Sequence, residues 1–126
     1  MKKIVLLFLI LICLVSCQNS NQQTFVGTDI SSVRMDTAFS LKDFNGRIRT
    51  LEDFKGKVVV LFFGFTHCPD ICPTTLTDLK KTMVLLKDKA SAVQVIFITL
   101  DPARDTEEVL KKFIPTFNSS FLGLTG

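Results

Sequence analysis

The 126-residue sequence has a single histidine, His67, no tryptophan, no tyrosine and little net charge. Its formal balance falls from +3 to +1 once Lys2 and Lys3 are set aside with the leader described below. A chain so near neutrality has no electrostatic footprint for nucleic acid, and no nucleic-acid partner is expected. No internal repeat or low-complexity block follows Thr24, so the length allows one small domain. No apolar run is long enough to be a comfortable membrane span either. Ile4 to Leu14, interrupted only by Cys13, falls short of the roughly 20 residues a bilayer requires.

That short run has another use. Met1-Lys2-Lys3 is a positive start, the apolar run follows, and Leu14-Val15-Ser16-Cys17 has the form of a bacterial lipoprotein cleavage site. The expected organisation is a signal peptide over 1–16, a lipid-bearing Cys17, a flexible polar tether over 17–36 and one domain over 37–126. The chain is then exported and held at the membrane by lipid, facing the periplasm or the outer face of the cytoplasmic membrane. Cys13 leaves with the signal and Cys17 carries lipid, so only Cys68 and Cys72 remain as thiols. In an oxidising compartment they pair, bind a soft metal, or cycle between the two.

Along the domain, Phe39 to Leu51 reads as a hairpin closed by a two-residue Asn45-Gly46 turn. Thr50 is placed to cap a short turn through Phe54, with Asp53 three residues on. Val58 to Phe63 is apolar on both faces, the pattern of a strand buried in the centre of an α/β sheet. The spacing of Leu76, Leu79, Met83 and Leu86 predicts a helix from Pro73 to about Lys87, with proline at its first position. Val93 to Leu100 reads as a second buried strand, stopped by Asp101-Pro102. Asp105 is the expected N-cap of a second helix carrying Val109, Leu110, Phe113, Ile114 and Phe117, which Pro115 ends or kinks. This order implies an α/β fold built on a parallel, right-handed βαβ unit. Phe62, Phe63, Phe65, Phe97, Phe113 and Phe117 are expected to fill its core.

The chemistry concentrates in Gly64-Phe65-Thr66-His67-Cys68-Pro69-Asp70-Ile71-Cys72-Pro73, between a strand and a helix start, where α/β proteins place ligand sites. Two thiols four residues apart can converge on one metal ion or close a disulfide. Cys72 adjoins the expected helix N-terminus, whose dipole and free N–H groups stabilise a thiolate. Thiolates select Cu(I) or zinc over magnesium or calcium. Three residues separate the cysteines where a thioredoxin has two. The peroxiredoxin pattern fits poorly, because Leu61 and Phe65 stand where it needs proline and threonine.

The loop 64–73 resembles the signature of the SCO/SenC family, as do Phe97-Ile98-Thr99-Leu100-Asp101-Pro102-Ala103-Arg104-Asp105-Thr106 and the ending Phe121-Leu122-Gly123-Leu124-Thr125-Gly126. The resemblance runs from about Phe39 to Gly126. It implies a thioredoxin-like fold, membrane attachment, and Cu(I) or Cu(II) bound by two cysteines, here Cys68 and Cys72, and a histidine. It further implies copper delivery to the cytochrome c oxidase subunit carrying CuA, and a thiol reductant of thioredoxin type as a second partner. The alternative is a thiol-disulfide oxidoreductase acting on cysteines of the oxidase or other exported proteins.

The family's ligand histidine lies beyond its Gly-Leu-Thr-Gly block, where this sequence stops. The expectation is a βαβ half with an N-terminal hairpin, lacking later strands and a last helix. His67 is then a thiol-activating or substitute ligand, or a loop residue facing solvent. Asp70 tunes the thiols or caps the helix. Asp101, Arg104 and Asp105 form a partner surface, or a structural pairing of Arg104 with a capping Asp105.

Overall fold

The computed structural model describes residues 26–33 and 38–126. The predicted signal peptide, the lipidated Cys17 and most of the 17–36 tether lie outside the described residues. Residues 26–33 belong to a separate unit from the domain and are exposed throughout.

The domain is a mixed five-stranded sheet in the order β2-β1-β5-β4-β3. Its strands are β1 (Leu41–Asp43), β2 (Ile48–Arg49), β3 (Val58–Gly64), β4 (Val93–Thr99) and β5 (Leu122–Thr125). Helix α1 (Ile71–Leu86) joins β3 to β4, and α2 (Glu107–Phe113) with a 3-10 turn (Ile114–Thr116) joins β4 to β5. β3, β4 and β5 run parallel, with Phe62 beside Phe97 and Phe97 beside Gly123. β1 pairs antiparallel to both β5 and β2. Two successive crossovers of one hand bring both helices to one face of the sheet. There Leu76 and Met83 of α1 and Leu110 and Ile114 bury Val95, Phe97 and Phe121. Alternation along β4 sends Ile96 and Ile98 to the opposite face, against Phe54 and Leu124. The rings of Phe62, Phe97, Phe113 and Phe117 pack edge to face in sequence, with centroids 5.7, 6.3 and 5.2 Å apart. This is the thioredoxin-like α/β arrangement expected from the sequence.

Several local expectations change. β3 is an edge strand, not a central one, and Val58, Leu61 and Phe63 are 64, 37 and 54% exposed. Phe63 therefore stands outside the core. The hairpin turn is longer than Asn45-Gly46 alone: Gly46 N–H bonds the Asp43 carbonyl at 2.9 Å, and Asp43 N–H bonds that of Arg47 at 2.8 Å. Gly46 takes φ +80°, so it supplies the left-handed residue that closes a bulged turn. Helix α1 begins at Ile71, two residues before Pro73, which sits third where the N–H still lacks an intrahelical acceptor. The cap of α2 is Thr106, whose hydroxyl accepts from Val109 N–H; Asp105 is taken by other contacts. Pro115 does end the α-helix, in the 3-10 turn. Thr50 and Asp53 bracket the 3-10 turn Leu51–Phe54 as expected, Thr50 N–H reaching Asp53 Oδ2 at 2.8 Å.

Candidate metal and thiol site

The C-terminal ends of β3 and β4 fix the site. Leu100 N–H bonds the Gly64 carbonyl at 2.8 Å, tying the start of the cysteine loop to the end of β4. Gly64 is required there by space: a Cβ on it would lie 2.9 Å from Cys72 Sγ and 3.0 Å from a Phe97 ring carbon. The chain then turns at Phe65–Cys68, with Cys68 N–H on the Phe65 carbonyl at 3.2 Å, and enters α1.

The two sulfurs occupy unlike surroundings. Cys68 is half-buried and Cys72 is buried, both as free thiols. Cys72 N–H lies 3.4 Å from Cys68 Sγ. That amide, then the Cys72 thiol and the amides of Asp70 and Ile71, hold the Cys68 thiol below its ordinary range, against a smaller opposing effect of burial. Burial pushes the Cys72 thiol up, and the neighbouring Cys68 and Asp105 charges add to this, while the Phe65 amide partly offsets it. The helix N-terminus thus acts on Cys68. The sequence-based expectation assigned it to Cys72, because adjacency along the chain does not show which sulfur turns back over the first turn.

Beneath the loop lies a carboxylate whose role sequence reasoning missed. Asp105 is fully buried. Its Oδ1 accepts the Thr66 hydroxyl at 2.5 Å, and its Oδ2 accepts Thr66 N–H at 2.9 Å and the Thr99 hydroxyl at 2.6 Å. Burial alone would raise its pKa; the Thr66 and Thr99 hydroxyls and the Thr66 amide, with His67 adding attraction, outweigh it and hold the carboxyl below the usual range. Thr99 in turn accepts Asp101 N–H at 3.0 Å, and Asp105 N–H returns to the Asp101 carbonyl at 2.9 Å. Arg104 pairs with Asp101, not with Asp105.

His67 is 59% exposed, with Nδ1 3.2 Å from the Thr66 hydroxyl and 3.8 Å from Asp105 Oδ1. Among the described residues no group of three or more histidine, cysteine or acidic side chains is gathered as a metal cluster. The structure therefore brings Cys68 and Cys72 together and turns His67 toward Asp105. Asp70 occupies the N-cap position of α1 without bonding an amide; its carboxylate takes the Thr74 hydroxyl at 3.4 Å.

Comparison with known proteins gives a consistent picture. The SCO1/SenC family model matches residues 28–126. The mitochondrial protein SCO2 of Saccharomyces cerevisiae is 48% identical over 96 residues, 75% of this chain and 32% of its own length. The copper-bound structure of Bradyrhizobium japonicum ScoI superposes with a TM-score of 0.69 at 39% identity, over 74% of this chain and 59% of that one. BsSco, described as a member of the Sco family of cytochrome c oxidase assembly proteins with a disulfide switch, gives a TM-score of 0.58 at 31% identity, over 71% and 54% of the two chains. This chain spans about a third to a half of the length of the curated relatives it matches.

Proposed function

The chain belongs to the SCO1/SenC family, and on that premise we propose that it carries copper on Cys68 and Cys72 as cargo for assembly of the CuA centre of cytochrome c oxidase. The observation that carries this reading is the Cys72 N–H lying 3.4 Å from Cys68 Sγ, which sets both cysteines together at the first turn of α1. Two soft donors in one loop suit Cu(I). Cu(II), with its taste for nitrogen, needs a further donor, and the Nδ1 of His67 is turned to Thr66 and Asp105. Copper displaces a proton at least from Cys72, so affinity falls as pH falls. The copper-bound relative favours this reading over a thiol-disulfide oxidoreductase that turns substrate over. A disulfide between the two cysteines has lost the thiolate charge, so a thioredoxin-type dithiol must reduce it before copper binds.

The test is an anaerobic titration of Cu(I) against a chromophoric chelator. The reduced parent binds one copper, Cys68→Ser and Cys72→Ser lose it, and His67→Ala retains it within about threefold, well under the 1.4 kcal/mol that a factor of ten represents. Undiminished binding by the fully oxidised chain, or by the double Cys→Ser variant, sinks the proposal.

Export and anchoring through lipid on Cys17 belong to the same reading, supported by the Leu14-Val15-Ser16-Cys17 site behind its apolar run. A Cys17→Ser variant should remain unprocessed and take up no labelled fatty acid. Equal labelling of variant and parent removes the anchor from the proposal.

A further inference from the structure

Asp105 is more heavily invested in the cysteine loop than in its own surroundings. Helix α2 does not need it, because Thr106 is the cap. Among the described residues no lysine or arginine pairs with it, and the one basic group nearby is the exposed His67. Burying a carboxylate without a strong cation is costly unless hydrogen bonds compensate it. Its two oxygens accept three hydrogen bonds, two from Thr66 and one from Thr99, and Thr66 lies 39 residues away in sequence.

Thr66 is the peptide neighbour of Phe65, whose carbonyl takes Cys68 N–H at 3.2 Å. Cys68 Sγ in turn faces the Cys72 N–H at 3.4 Å. A shift of Thr66 therefore moves the turn that holds Cys68 in place. We infer that Asp105 is a positioning residue for the Cys68/Cys72 site, pinning Thr66 to the end of β4 so that the Cys72 amide stays directed at Cys68. The inference deepens the copper reading and rests on it for its copper readout alone.

The experiment compares Asp105→Ala, Asp105→Asn and, as a destabilised control away from the site, Asp43→Ala. Each is measured in two ways: Cu(I) affinity by chelator competition, and the Cys68–Cys72 disulfide equilibrium against glutathione, which involves no metal. Asparagine can still accept from Thr66 N–H and the Thr99 hydroxyl through its carbonyl, and donate to the Thr66 hydroxyl through its amide. Asp105→Asn should therefore stay within about threefold of the parent, while Asp105→Ala shifts both readings about tenfold, the factor worth 1.4 kcal/mol. Asp43→Ala should move neither by more than about twofold, being outside any shared network.

Equal behaviour of Asp105→Ala and Asp43→Ala overturns the inference, since stability alone then explains the effect. So does an Asp105→Asn variant as impaired as Asp105→Ala. If the parent binds no Cu(I), the copper proposal fails and the glutathione equilibrium still decides this one. Should Asp105→Ala not fold, Thr66→Val replaces it, and an unchanged equilibrium in that variant counts against the inference.

Discussion

Asp43 and Asp105 are both fully buried aspartates, and both are held below the usual carboxylate range. They reach that state by different means. Asp43 is served by its own hairpin: Asn45 N–H at 2.8 Å, Arg47 N–H at 3.0 Å and the Arg49 guanidinium at 2.8 Å, none more than six residues away. Against the cost of burial its largest support is Arg49. Asp105 has no such cation, and its support comes from hydroxyls and an amide on segments that meet only when the sheet is complete. Asp43 is a staple that a short peptide brings with it. Asp105 is a keystone that exists only in the assembled domain.

The comparison can be broken in three ways, taken in order of expected size. Asp105→Ala should cost about 3 kcal/mol in urea unfolding, because charged hydrogen bonds are lost and buried donors on Thr66 and Thr99 are orphaned. A loss below about 1 kcal/mol would reduce Asp105 to an ordinary polar residue on the same scale. Asp43→Ala should cost less, about 2 kcal/mol, since the turn opens to water and its amides find partners there. Its effect should be local: hydrogen exchange speeds up in β1 and β2 and stays unchanged at Thr66, Cys68 and Cys72. Acceleration in the cysteine loop would show that the two aspartates share one cooperative unit.

The smallest effect is in the pH dependence. A carboxyl whose folded pKa is depressed contributes stability that is fully present above its unfolded value, about 4, and is lost as pH falls through the folded value. Both aspartates therefore act in the same direction, and the parent should lose stability as pH drops below about 4. Asp105→Asn and Asp43→Asn should each flatten that decline when urea midpoints are followed against pH. A variant with the parent's slope would show that its carboxyl titrates alike in folded and unfolded chains.

What the sequence makes legible follows the range of the interaction. The cysteine loop could be placed because an apolar strand and an amphipathic helix flank it within one stretch of chain. The apolar face of α1 was equally plain from Leu76 and Met83, both buried. The edge position of β3 was not, because Val58 to Phe63 carries the same apolar pattern whichever strands stand beside it. β5 is not legible for a related reason. Four residues with a glycine hold too little periodicity, and Leu122–Thr125 becomes a strand only by pairing with β4 and β1. Asp105 reads as a cap because it stands one place before Thr106, which satisfies the same local rule. One of its two partners, Thr66, lies 39 residues back, beyond the reach of any local pattern.

The tight seat of Cys72 against Gly64 also leaves the two sulfurs unequally open to peroxide. An oxidant that took the half-buried Cys68 to a sulfenic acid would leave the buried Cys72 thiol unspent beside it. Condensation of the two would expel water and leave a disulfide that a dithiol can undo, ahead of any irreversible oxidation. The glycine that makes room for a buried sulfur would then turn a single oxidising hit into a repairable bond instead of a dead site.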